Sequence, residues 1–338
     1  MAASTRDSSG LAFDTLTGTR KGPYRSFNAV SAVQIWQWCS AMGDDNPLYL
    51  DEAYQRQHSI DGAIAPPAMM QAWTMRDVNM RYAPGSTSAA PYEVFDVLAA
   101  NGFPGNVAVS YDIHFHRLLR EGDRAHHYNT ITSISPLKKT ALGEGYFVVE
   151  HAEFMDQSDT VYAEAYITYF QYRPAADNDA STTESAPAQP VAASSDMPTF
   201  SDRCAADLSI GDTLPELAIP ITHKLIVAGA IAGQDFIDVH HNAPAAQAAA
   251  MPDIFMNILT TCGLCGRYLT DWAGPGSRIQ RLQLKLLAPN TPGDSMLLQG
   301  QVTALDAGDD SPTASVEFAG RNGRGYHVTG SAVVALAG

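Results

Sequence analysis

Residues 146–172 read YFVVEHAEFMDQSDTVYAEAYITYFQY. Bulky and polar side chains alternate on either side of the polar turn 156–159, the period-two pattern of two long antiparallel strands joined as a hairpin. The same alternation returns towards the C-terminus at Leu282–Leu287, Ser295–Val302, Thr313–Phe318 and His327–Val334. Helical patterns precede each array. Ala29 to Met42 is predicted helical, Pro67 opens a second helix through Trp73, and Pro252 opens a third reaching about Leu269, because proline is favoured in a helix's first turn. Between the arrays, Ala175 to Met197 switches to Ala, Ser, Thr, Pro, Asp and Gln without hydrophobic period, the composition of a flexible linker. The chain is therefore expected to be α+β and internally duplicated, each unit a long helix wrapped by a curved antiparallel sheet. The expected boundaries are a flexible N-terminus over 1–22, a first domain over 23–174, a linker over 175–197 and a second domain over 198–338.

The bulk properties agree. At 338 residues the chain is more than twice the usual single-domain size of roughly 150. Hydrophobic residues at 45% against 17% charged supply enough apolar material for sizeable cores, which excludes disorder of the whole chain. The formal net charge of -15 is wrong for a nucleic-acid or anionic-membrane binder, so neither partner is expected. The first residues carry no apolar h-region, and no run of about 18 apolar residues occurs; a cytoplasmic protein without membrane contact is expected. Cys262 and Cys265 have metal or redox spacing, but they lie in an apolar helical pattern without a second CxxC, so a buried helical pair is the preferred reading.

Two motifs carry the chemistry. The segment Gly43-Asp44-Asp45-Asn46-Pro47-Leu48-Tyr49-Leu50-Asp51 follows the first helix, and Gly62-Ala63-Ile64-Ala65-Pro66-Pro67 leads into the next. These resemble the MaoC-like hot-dog family of (R)-specific enoyl-CoA hydratases, whose motif is GDxNPxHxD and in which an Asp and a His five residues later hold the reacting water. Asp44 matches the Asp, but the His position is Tyr49, a phenol with a reference pKa near 10 and a poor base at neutral pH. The family also polarises the thioester carbonyl with a backbone N–H at the start of the central helix. The matching position here is Pro67, which has no N–H. The resemblance thus implies a first half that keeps the fold without the chemistry. In the second half, Gly233 to Asn242 restores the Asp-to-His spacing with Asp235 and His240, and the helix start at Met251-Pro252-Asp253 offers the Asp253 amide as oxyanion donor. A metal site from His240, His241 and Asp238 is disfavoured, since adjacent histidines point apart on most backbones and no third follows at ligand spacing; no metal is expected.

Longer strings extend the resemblance. AMGDDNPLYLDE (41–52), IAPPAMMQAWTM (64–75), RLLREGDR (117–124) and SPLKKTALGEGYFV (135–148) are similar to the larger subunit of bacterial steroid side-chain enoyl-CoA hydratases. QDFIDVHH (234–241) and PDIFMNILTTCGLCGRYLTDWAGP (252–275) are similar to the small subunit. The resemblance implies a double hot-dog fold with both subunits fused in one chain. It also implies hydration of a trans-2-enoyl-CoA to a 3-hydroxyacyl-CoA with a bulky steroid side-chain acyl group, Asp235 and His240 being catalytic. No cofactor is expected, coenzyme A being part of the substrate. Met69, Met70 and Trp73 are pocket candidates, flexible Met side chains suiting bulky ligands. Lys138, Lys139, Arg278 and Arg281 are candidates for the CoA phosphates. A homo-oligomer, a dimer of fused chains, is expected. The OB-like extension that docks an aldolase in such systems is absent, which speaks against that partner. The alternatives are a hydratase or dehydratase for other acyl chains and a non-catalytic acyl-CoA-binding or scaffold module.

Overall fold

A computed structural model describes residues 13, 15–140, 142–174, 200–249, 251–307 and 311–337. The linker over 175–197 and most of the N-terminal segment over 1–22 lie outside the described residues. The first half runs β1 (Arg20–Arg25), α1 (Ala32–Met42), α2 (Pro47–Leu50), α3 (Glu52–Gln57), α4 (Glu93–Ala100), β2 (Gly105–Phe115), β3 (His126–Ile134), β4 (Lys138–Thr140), β5 (Gly143–Met155) and β6 (Val161–Pro174). The second runs β7 (Thr213–Pro220), α5 (His223–Ala232), α6 (Ala243–Ala248), α7 (Ile258–Ala273), β8 (Arg278–Leu286), β9 (Ser295–Asp306), β10 (Thr313–Asn322) and β11 (Gly325–Ala335).

The hairpin at 146–172 forms as expected: β5 and β6 pair antiparallel from Gly143↔Pro174 to Met155↔Val161. All the strands join one eleven-stranded sheet in the order β1-β3-β5-β6-β2-β8-β11-β10-β9-β7, with β4 appended to β5. The halves meet where β2 pairs β8, from Ser110↔Lys285 to His114↔Arg281. The alternation did not reveal β2, β3 and β4, nor the two outermost strands, β1 (RKGPYR) and β7 (TLPELAIP). Each outermost strand carries proline, which cannot donate to a ladder and is tolerated at an edge, and each shifts register there.

The architecture is the α+β double hot-dog, with an unequal share of helix. In α7, 13 of 16 residues are buried, which marks a helix covered on all sides. It packs against α1, α5, β8 and the turn at Pro67. In the first half the helix expected from Pro67 to Trp73 reduces to two 3-10 turns, Pro67–Met69 and Ala72–Thr74. Met75 is already extended at ψ 162, and Asp77 folds the next residues into a loop by accepting from the amides of Asn79 and Arg81. The expected start of the second-half helix is also corrected. It begins at Ile258, where Asn257 caps it by accepting from Thr260 N at 2.8 Å, and not at Pro252. The bond from Met256 N to Asn290 O ties the preceding segment to the body in an extended course.

Candidate active site

Helix α5 ends at Gly233, and the chain reverses through Gln234 at φ 54. Asp235 donates its amide to Ala230 O at 2.9 Å, and a single turn at Asp238–His240 follows. This path returns His240 to Asp235: Nε2 lies 3.6 Å from Oδ2. Both residues are buried, at 6% and 7% exposure. His240 Nδ1 is 2.7 Å from Phe255 O. A carbonyl only accepts, so Nδ1 carries a proton, and in the Nδ1–H tautomer the lone pair of Nε2 lies on the side of Asp235. Asn257 secures the carboxylate by donating Nδ2 to Asp235 Oδ2 at 2.9 Å while its own Oδ1 caps α7. One side chain therefore registers Asp235 against the head of the central helix. Asp235 Oδ1 is buried and has no hydrogen-bond partner among the described residues. His241 faces elsewhere, exposed beside Asp238 at 3.8 Å, as expected for neighbouring histidines.

These residues open into a cavity of about 470 Å³. Asp235, His240, Phe255, Asn257, Ile258 and Leu259 line its second-half side, so the first residues of α7, at the end where the helix's partial positive charge is concentrated, belong to its wall. His327 also lines it, with Nδ1 donating to Ala288 O at 2.7 Å and Nε2 at 2.9 Å from Thr261 Oγ1. Burial lowers its pKa to about 4, so the ring is neutral. The opposite wall comes from the first half: Met75 and Arg76 beyond the 3-10 turns, Tyr92, and His127, Glu150 and Tyr169 on the sheet. The space that a second central helix would fill is thus part of the cavity.

The first-half motif is closed off. Asp44 is buried, and burial, reinforced by nearby Asp271, raises its pKa to about 7. Tyr49 is fully enclosed, and burial holds its phenol well above 10. Pro67 opens a turn without an N–H to offer, and neither Asp44 nor Tyr49 lines the large cavity.

Other expected site residues are placed differently. Asp253 precedes the helix by several residues and does not line the cavity; its carboxylate pairs with His223 at 2.8 Å. The head of α7, by the corrected helix start, is Ile258 and Leu259. Met69, Met70 and Trp73 are buried, but they pack into the core around the 3-10 turns and not along the large cavity, whereas Met75 does line it. Arg281 is engaged by Asp112 on β2, at 2.9 and 2.7 Å, and so rivets the joint between the halves. Arg278 is exposed at the start of β8. Lys138 and Lys139 are exposed on β4, close in sequence to Leu142, which is half-exposed and lines the cavity edge. Cys262 and Cys265 are free and buried; burial raises the Cys262 thiol to about 12, which removes nucleophilic character.

Among the cavity residues that the sequence did not single out are Asn257, His327, His127 and Glu150. A signal for Glu150 was present, because it falls in phase with the buried face Tyr146, Val148, Ala152 and Phe154 of β5. His127 and Asn129 fall in phase with Ile131 on β3 in the same way. A charge on the core face of a strand calls for a partner or a task.

The profile of the FAS1-like dehydratase domain region matches residues 18–165. A protein named as a probable enoyl-CoA hydratase alpha subunit, from Thermomonospora curvata, is 38% identical over 152 residues, 45% of this chain and 48% of that protein. The beta subunit of 3-oxo-4,17-pregnadiene-20-carboxyl-CoA hydratase from Mycobacterium tuberculosis is 41% identical over 127 residues, 38% of this chain and 95% of that subunit. The chain thus spans about half the length of the alpha-type relative and nearly all of the beta subunit. A solved structure described as a MaoC-like dehydratase superposes with a TM-score of 0.72 at 18% identity, covering 96% of this chain and 100% of the other, a likeness of fold. Among the described residues no helix is long and apolar enough to cross a membrane. With the paired strands, the shared central helix and near-complete coverage of one relative, the chain belongs to the MaoC-like hydratase and dehydratase family.

Proposed function

We propose that this chain adds water across the 2,3 double bond of a trans-2-enoyl-CoA thioester, giving a 3-hydroxyacyl-CoA, and that its acyl group is bulky, of the kind found on steroid side chains. The observation that carries this reading is the buried Asp235–His240 pair, 3.6 Å apart, at the head of α7 inside one cavity walled by both halves. The Asp235 carboxylate and the lone pair of His240 Nε2, 3.6 Å from its Oδ2, are the two acceptors a water needs to be held by both its protons. Attack of that water on C3 transfers a proton to the pair and moves electron density to the thioester oxygen. The head of α7 at Ile258 and Leu259, which line the cavity, would supply the amides and the helix dipole that stabilise that oxyanion. Protonation at C2 by the same pair completes the addition, and reversal of these steps is dehydration.

The steroid-sized acyl group is supported by the cavity volume, by the shortened first-half helix and by the name of the beta-subunit relative. Lys138 and Lys139, exposed on β4 a few positions before the cavity-lining Leu142, are the cations assigned to the CoA phosphates in this reading. The test is loss of the conjugated enone absorbance with a crotonyl and a polycyclic enoyl-CoA. Asp235→Asn and His240→Ala are each expected to lower kcat by about 10²–10⁴, whereas Asp44→Asn stays within tenfold of the parent. Near-normal turnover in either of the first two variants refutes the assignment.

A further inference from the structure

Asp235 and His240 are both held by one short stretch that belongs to no helix or strand, residues 255–257 just before α7. Phe255 O accepts from His240 Nδ1 at 2.7 Å, and Asn257 Nδ2 donates to Asp235 Oδ2 at 2.9 Å. A shift of these three residues therefore disturbs the imidazole and the carboxylate at once. Outside helices and strands, backbone groups find their anchors one by one. The bond from Phe255 N to Val239 O is long at 3.4 Å, so the firm anchor is Met256 N, which donates to Asn290 O at 3.0 Å.

Asn290 is in turn held from a different element. It is 0% exposed, and its Nδ2 meets only the sulfurs of Met256 and Met296, at 3.7 and 3.3 Å. Thioethers are weak acceptors, so the strong bond of this side chain is the one at Oδ1. It comes from Asn322, where β10 ends. Asn322 Nδ2 donates to Asn290 Oδ1 at 2.8 Å and to Pro289 O at 3.0 Å, one bond for each amide hydrogen. Its own Oδ1 accepts from Arg324 N at 2.9 Å, which fixes the way the amide faces. Asn322 is half-buried, does not line the cavity and makes no hydrogen bond to Asp235 or His240.

We propose that Asn322 is a positioning residue for the Asp235–His240 pair, acting through Asn290 and residues 255–257 to keep the imidazole and the carboxylate in register. This rests on the hydration reading above and adds to it a residue from the β10–β11 turn. Without the Asn322 amide, Asn290 Oδ1 is a buried acceptor with no partner, a costly state that the chain relieves by shifting at 289–290. Met256 is bonded to that segment and moves with it, and Phe255 and Asn257 move with Met256. Small displacements of reacting groups, caused far from the chemistry, are enough to slow a reaction by about 10².

The variants are Asn322→Ala, which removes both donated bonds, and Asn322→Asp, which keeps the shape and the bond from Arg324 N. Arg324→Ala, exposed in the same turn, is the control. Each full chain is measured well below its melting temperature, for kcat and KM on crotonyl-CoA and a polycyclic enoyl-CoA and for the nitrogen NMR shifts of the His240 ring, which report its tautomer. Both Asn322 variants are expected to lower kcat about tenfold with KM within about twofold of the parent, and to move the ring away from the Nδ1–H form. Arg324→Ala is expected to match the parent in all three. A purely structural clamp lowers the melting temperature and leaves kcat and the ring shifts unchanged; that result overturns the proposal. A rise in KM at constant kcat also overturns it, assigning Asn322 to the shape of the cavity. Should Asn322→Ala fold poorly, Asn322→Asp decides alone. If the parent hydrates no enoyl-CoA, the hydration reading fails and the ring shifts decide the positioning: a changed tautomer in the Asn322 variants upholds it, an unchanged one overturns it.

Discussion

Asp44 and Asp235 hold equivalent places in two copies of one motif, and their surroundings separate them. Asp235 is fixed by Asn257 and faces a histidine; Asp44 accepts from Asn46 N and has an enclosed phenol where the base would be. Burial sets the Asp44 pKa to about 7 in the folded chain against an ordinary 3.8. Between those values the folded state keeps a proton that the unfolded state releases, so stability falls as pH rises from about 4 through 7. Asp44→Asn removes that dependence. Its melting temperature is expected to exceed the parent's by a few degrees at pH 8, and the gap narrows at pH 5; an equal gap at both shows that Asp44 is ionised in the fold. At this scale the Asp-to-His spacing and the Tyr49 defect could be read from sequence, because both are local. The pairing of Asn257 with Asp235 spans 22 positions and left no local mark.

Among the elements, α7 is seated by missing side chains. A Cβ at Gly263 would lie 2.8 Å from Trp38 Cζ2 and 2.9 Å from Met42 Sδ on α1, and one at Gly229 would lie 2.3 Å from Thr260 Oγ1. Alanine in an exposed helix normally stabilises by about 1 kcal/mol over glycine. Here overpacking opposes it, and Gly263→Ala is expected to destabilise by about 1–3 kcal/mol in urea unfolding. A gain would show that Trp38 yields freely. The strands β5, β6 and β8 to β11 were legible because alternation is strong over long runs, while the other strands and the helix starts were not. Pro252 and Asn257 are both good N-terminal residues, and the choice fell to tertiary bonds such as Met256 N to Asn290 O. Likewise Pro67 does open a turn, but Asp77 closes the segment before a helix can lengthen.

At the scale of the molecule, the β2–β8 ladder, the Asp112–Arg281 pair and the packing of α7 on α1 bind the two halves together. A protease site inserted within residues 175–197 and then cut is expected to give two fragments that co-elute in size exclusion without denaturant. Stable, separate fragments would show that the joint contributes little. The fold class and the duplication were readable from sequence because each half repeats its own pattern. The large cavity was not, because its two walls come from stretches distant in sequence, Tyr169 and Asp235 standing 66 positions apart. That arrangement has a further consequence for how the protein behaves when scarce. Where two polypeptides must meet to enclose a ligand, dilution below their dissociation constant empties the chamber of one side; here both walls travel on one backbone, held at the high effective concentration of a tether. The chamber therefore stays whole down to a single molecule.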